Sequence, residues 1–147
     1  MIILSVDYGD ARTGVAICDP AELMAVPLCV IYEKSRSKLV AEISKIALNK
    51  KASLILVGLP VNMDATHGER AKKSKQFAQL VTQQSGIATL LWDERLTSVS
   101  ANAQLYAVGI RGIKRKEKVD AVAAAMILDD YIRYRKNCKI NEPARGV

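Results

Sequence analysis

The sequence predicts an α/β fold, a mixed five-stranded sheet made of three antiparallel strands followed by βαβαβ, with helices on both faces. Three observations carry that expectation. Three β-patterned segments follow one another over short connections before Tyr32, as antiparallel neighbours do. The apolar period then lengthens to that of a helix. Finally, two short apolar runs, near Ile55 and Leu90, alternate with helical stretches, as parallel strands joined by crossovers do.

The elements follow in order. Ile2 to Val6 is an apolar run, and Asp7 to Arg12 is rich in turn residues. Thr13 to Cys18 is the second strand, broken by Asp19-Pro20, and Val26 to Tyr32 is the third. Leu39, Val40, Ile43, Ile46 and Ala47 recur at helical spacing. Ser53 to Val57 is a strand buried on both faces, ended by Gly58-Leu59-Pro60. A helix from about Glu69 to Gln84 lines up Ser74, Phe77, Ala78 and Val81 on one stripe, with Gly86 as its C-terminal cap. Ala88 to Trp92 is the last strand. Helices are expected over Val99 to Val108 and from Val119 to about Arg135, with a basic loop, Gly109 to Lys118, between them. Residues 1–136 form the expected domain and 137–147 a flexible tail.

Composition narrows the function classes. With 147 residues, half of them hydrophobic and a quarter charged, the chain suits one ordered domain with a real core. No apolar run approaches the ~18 residues of a membrane span. The start lacks a basic region and a cleavage site, so a cytoplasmic protein without a signal peptide is expected. Cys18, Cys29 and Cys138 contain no C-x-x-C pair and are expected as reduced thiols rather than zinc or redox ligands. The single histidine, His67, falls in a loop-like segment and supports no Cys–His pair. The net charge of +7 is uneven, with +5 carried by residues 111–147. A local basic excess suits a polyanion, and a solvated basic tail explains it equally well.

Three acids stand at the ends of separate hydrophobic segments: Asp7, Glu94 and Asp120. Carboxylates are costly to desolvate, and three converging ones make an oxygen-only nest suited to Mg²⁺ or Mn²⁺. Asp7, Gly58 and Glu94 all fall at expected strand carboxyl ends, where ligands gather in such sheets. Each segment also has a plainer explanation. Asp7-Tyr8-Gly9-Asp10 reads as a hairpin turn, with Gly9 permitting close backbone approach. The loop holding Asn62, Asp64 and Thr66 could bind phosphate or merely cap the next helix, and no G-K-[ST] follows to make it a P-loop. Asp93 and Glu94 should face opposite ways on a strand, so alternation admits only one of them to a site and does not choose between them. Arg95 could grip a phosphate or a neighbouring acid. Asp120 in a first helical turn is favoured by the helix dipole alone. Small residues at 121, 123, 124 and 125 would let that helix approach the sheet closely.

Taken together, D-Y-G-D-A-R-T-G-V-A at 7–16, G-L-P-V-N-M-D at 58–64, D-E-R-L-T-S at 93–98 and K-V-D-A-V-A-A-A at 118–125 resemble the YqgF family, the RuvX-like pre-16S rRNA nucleases related to Holliday-junction resolvases. The resemblance covers residues 2 to 132. It implies a ribonuclease-H-like fold, and it matches Asp7, Glu94 and Asp120 to the family's acidic catalytic and metal-binding positions, choosing Glu94 over Asp93. The chain departs from the family's usual residues at Ala65 (glycine), Ser98 (threonine) and Thr13 (aliphatic), and none of these removes a carboxylate.

The expectation is a Mg²⁺- or Mn²⁺-dependent endonuclease that hydrolyses phosphodiester bonds in structured nucleic acid, in particular at the 5′ end of pre-16S rRNA. Arg12, Arg95, Arg111, Lys114, Arg115, Lys116 and Lys118 are the expected phosphate contacts. Trp92 is expected in the core, so recognition should rest on shape and backbone rather than base stacking. The partner is structured RNA or a DNA junction, with no membrane, and the protein is a monomer or a homodimer. The rivals are a Holliday-junction resolvase, a nucleotide-binding module, since the turn before Thr13-Gly14 resembles an actin-like phosphate loop, and a non-catalytic RNA-binding or transcription factor.

Overall fold

The computed structural model describes residues 1–59, 68–93 and 115–141, with residues 115–120 and 139–141 described by backbone alone. The strands are β1 (Ile3–Asp7), β2 (Arg12–Cys18), β3 (Ala25–Tyr32), β4 (Leu54–Leu59) and β5 (Ala88–Asp93), and the described helices are α1 (Arg36–Asn49), α2 (Glu69–Ser85) and α3 (Arg115–Asn141). They form one sheet in the order β3-β2-β1-β4-β5. β1 pairs antiparallel with β2 and β2 with β3, whereas β1, β4 and β5 run parallel. The expected mixed sheet is present with its expected connectivity.

The pleat sorts the strands into two cores. Leu4, Val6, Val15, Ile55 and Val57 pack under α1 and α2 with Leu39, Ile43, Phe77 and Val81. Ile3, Ala16, Cys18 and Leu56 face the other way and pack under α3 with Ala124, Ile127, Leu128 and Tyr131. β4 is an interior strand, between β1 and β5, and is covered by both layers, which is why it reads as a continuous apolar run. β3 is an edge strand, and this is what allows Pro27 within it. The predicted stripe of α2 is buried at Ser74, Phe77, Ala78 and Val81, and Gly86 caps that helix in the left-handed region at φ 74°.

Two expectations about the C-terminal region need correction. The basic loop was expected to last through Lys118, but residues 115–118 are already the first turn of α3, so Arg115, Lys116 and Lys118 stand on a helix. The same helix passes Arg135 and continues to Asn141, through residues 137–141 of the expected tail. The physical reason is common to both ends. Arg, Lys and Glu are strong helix formers, and no Gly or Pro interrupts 113–142. The apolar period that marked the helix simply covers less of it than the backbone does. The expected helix Val99–Val108 lies outside the described residues, as do Asn62, Asp64, Thr66, Glu94, Arg95, Arg111 and Lys114.

At the amino edge of the sheet, Glu22 ties the start of the chain to the far end of α3. Its carboxylate accepts from the Met1 ammonium at 3.0 Å and from Arg135 Nε at 2.9 Å. Glu22 sits at φ 55°, a conformation that L-residues adopt at a cost and that these two partners help to hold. Burial pushes the Glu22 carboxyl up, but the ammonium and the guanidinium outweigh it and leave the group below its usual range. A lowered folded-state value means stability that is fully present above the unfolded value near 4.5 and is lost as pH falls through the folded one. Glu22→Gln is expected to cost about 1–2 kcal/mol, or roughly 3–6 °C in melting temperature. The loss should be seen at neutral pH and shrink below pH 4.5. Thermal melts across pH check both features, and a variant gap that persists unchanged into strong acid would show that the ion pairs do not carry it.

Candidate active site

The carboxyl ends of β1, β4 and β5 form one edge of the sheet, and the acidic segments converge there. Asp7 is the last residue of β1. Val6 pairs with Val57, so the next step of the ladder sets Asp7 beside Gly58, and Gly58 pairs in turn with Trp92. Asp93 ends β5, and Glu94 is the next residue of the chain.

Alternation assigns faces at this edge. Ile3 packs on α3, and the Ser5 hydroxyl donates to the Ala124 carbonyl at 2.8 Å, so Asp7, two residues on, shares the α3 face. Leu91 packs with the α1/α2 core and Trp92 with the α3 core, so Asp93 falls on the α1/α2 face, opposite Asp7.

The direction of α3 follows from three contacts. Ala124 meets Ser5, Asp129 Oδ1 accepts from Ala25 N at 3.2 Å, and Arg135 meets Glu22. The helix therefore starts at the carboxyl edge of β1 and ends at the amino edge. Asp120 precedes Ala124 by four residues, about 6 Å along the helix axis, while Asp7 lies two strand residues, about 6.6 Å, beyond Ser5 in the same direction. The backbone thus carries Asp120 to the same edge as Asp7. Ala121, Ala123, Ala124 and Ala125 are all buried, which is the close approach expected of these small residues.

The turn after Asp7 is held tightly. Tyr8 stacks on Phe77 of α2 with ring centroids 4.5 Å apart and planes 9° from parallel. A Cβ on Gly9 would collide with the Arg12 carbonyl oxygen, so glycine is required there for close approach. The buried Thr13 hydroxyl sits between the amide and carbonyl of Gly9, at 3.4 and 3.5 Å. A depression of about 240 Å³ opens over this turn, lined by Asp7, Tyr8, Gly9, Asp10, Ala11, Arg12 and Arg70. Arg70 comes from the first turn of α2 and has no local sequence signal beyond its charge. Nor does the sequence signal the roles of Ser5 and Thr13, which look like polar interruptions of apolar strands.

Among the described residues, no three His, Cys, Asp or Glu side chains are grouped to hold a metal. Of the expected trio, only the Asp7 side chain is described. The lining of the depression offers oxygen donors and guanidinium groups, without thiol or imidazole, and so fits a hard cation and the phosphates it accompanies. Cys18 and Cys29 are free, and burial pushes both thiols up, which suits packing rather than nucleophilic attack. Trp92 was expected in the core but is half-buried, packed against the outside of the α3 core beside Tyr131 and Tyr134, each ring 5.5 Å away. Among the described residues, no helix is long and apolar enough to cross a membrane.

A β3-β2-β1-β4-β5 sheet with acidic segments at its carboxyl edge and helices on both faces is a ribonuclease-H-like fold. The solved structures agree. "T. thermophilus RuvC in complex with Holliday junction substrate" superposes with a TM-score of 0.63 over 92% of this chain and 96% of that one, at 12% identity. The fowlpox virus Holliday junction resolvase superposes at 0.53 over 91% and 99%, at 13% identity. The family RuvX: Holliday junction resolvase matches residues 1–134, and the chain belongs to this family. Two relatives named "Putative pre-16S rRNA nuclease" are each 39% identical to it. The one from Agathobacter rectalis matches over 95% of this chain and 99% of its own length, and the one from Carboxydothermus hydrogenoformans over 92% and 98%.

Proposed function

We propose that this protein is a metal-dependent endonuclease that cuts structured RNA at the 5′ end of pre-16S rRNA in the cytoplasm. The observation that carries the reading is the convergence, at one sheet edge, of Asp7 with the segment of α3 that bears Asp120 and with the strand that leads into Glu94. The names of the full-length relatives support ribosomal RNA as substrate.

Asp7, Glu94 and Asp120 are the carboxylates that would hold Mg²⁺ or Mn²⁺. Bound there, such ions supply an activated water and stabilisation of the leaving oxygen. The protein's own contribution is placement. The Ser5–Ala124 hydrogen bond fixes α3 against β1, and the Tyr8–Phe77 stack fixes the chain just beyond Asp7. Arg12, Arg95, Arg111, Lys114, Arg115, Lys116 and Lys118 neutralise the phosphates of the bound strand. With Trp92 engaged by the rings of Tyr131 and Tyr134, backbone and shape carry recognition.

The alternative substrate is a four-way DNA junction, which the family's description favours. Cleavage of a pre-16S rRNA 5′ fragment and of a matched DNA junction, each with and without Mg²⁺ or Mn²⁺, separates the two. RNA cut at a defined position only with metal is the expected result. Selective cutting of the junction would reassign the substrate, and binding without cutting of either would leave a non-catalytic factor.

A further inference from the structure

We propose that Arg12 and Arg70 together form a phosphate-binding subsite on the rim of the Asp7 edge, one that holds the backbone phosphodiester next to the one being cut. The proposal rests on the nuclease reading and adds to it a specific anion site built partly from α2.

Arg12 opens β2, and Arg70 stands in the first turn of α2, fifty-eight positions later in the chain. Both are exposed, and both line the depression over the Asp7–Arg12 turn. Its volume of about 240 Å³ leaves room for a phosphodiester group with part of its hydration. Two arginines in the lining of one small polar depression, beside Asp7 and Asp10, suit an anion with several acceptor oxygens held by charge-assisted hydrogen bonds.

The layers decide which phosphate is held. Asp7 lies on the α3 face, whereas α2 covers the opposite face. Arg70 therefore stands on the layer across the sheet from α3. A phosphate between Arg12 and Arg70 would sit on the α2 side of Asp7, which lines the same depression. A buried contact ties the turn before Arg12 to the helix that bears Arg70. Tyr8 of the turn stacks on Phe77 of α2, and Phe77 is fully buried. The nearby Lys73–Asp10 ion pair, at 3.6 Å between side chains 49% and 76% exposed, contributes much less to that tie.

The test uses the full chain carrying Arg70→Gln, Arg70→Lys or, as a control, Lys50→Gln. Lys50 is an exposed cation beside the C-terminus of α1, at the amino edge of the sheet. Filter binding to the RNA fragment and the DNA junction in EDTA, across a salt series, reads affinity without cleavage. Arg70→Gln should weaken binding about tenfold and flatten the salt slope by about 0.7–0.9 on either substrate. Arg70→Lys should keep the slope, since the charge remains, and recover only part of the affinity. Lys50→Gln should change neither. A wild-type slope for Arg70→Gln, or an equal loss for Lys50→Gln, would overturn the subsite. A wild-type protein that binds yet never cuts would instead defeat the endonuclease reading and leave the Arg70 result standing.

Discussion

Asp7→Asn is expected to reduce metal-dependent cleavage by at least about a hundredfold while leaving the fold intact. The magnitude follows from comparison with less direct losses. Removing a group that only orients a metal ligand typically costs about ten- to a hundredfold, so removing a ligand should cost no less. The amide keeps the size and shape of the carboxylate at the end of β1, so the packing of Val6 and Tyr8 on either side should survive. The same variant should lose stabilisation by metal. A cation that binds only the folded chain raises stability by about 2.7 kcal/mol at a hundred times its dissociation constant. Melting curves with and without Mg²⁺ or Mn²⁺ should therefore show an upward shift for the wild type and little or none for Asp7→Asn. Undiminished cleavage, or an undiminished melting shift, would place the ion elsewhere.

Phe77→Ala should have the largest effect on stability. Phe77 is among the largest fully buried side chains and joins α2 to the core beneath it. Truncating a buried Phe costs about 3–5 kcal/mol, or roughly 10–15 °C for a chain of this length. The loss should not be confined to stability. Tyr8, the residue after Asp7, would lose the ring it stacks on. Cleavage per folded molecule should therefore fall at temperatures well below the new transition. Phe77→Leu keeps most of the apolar volume but not the ring face. It should recover most of the stability and less of the activity. Calorimetry beside cleavage at low temperature checks the pair, and equal recovery of both quantities would show that the stack does not position Asp7.

The sheet was legible because its signals are local. Short connections declare antiparallel neighbours before Tyr32, and the run from Leu54 to Val57 is apolar at every position because β4 has a helix layer on each side. The stripe of α2 and the Gly86 cap were readable for the same reason. Alternation left Asp93 and Glu94 as equals, because pleat parity assigns a face only once a neighbour's face is known. The packing of Leu91 and Trp92 on opposite layers now supplies that reference for Asp93. Arg70 was not legible at all. Its place on the Asp7 rim depends on where a crossover delivers the start of α2, and no short-range pattern encodes that. Ser5 was hidden differently. A hydroxyl inside an apolar strand looks like a defect until Ala124, 119 residues away, is found to accept its hydrogen bond. The length of α3 was missed because charged residues extend a helix without adding to its apolar period.

That separation of 119 residues has a consequence during synthesis. Translation is vectorial, so α3, whose small residues close over β1, leaves the ribosome long after β1 does. Until then one layer of the sheet has no cover, and Asp7 has no partner segment from α3. A nuclease that draws on both Asp7 and the α3 segment bearing Asp120, as proposed above, would thus remain latent until that segment arrives. Its competence would begin with the docking of α3.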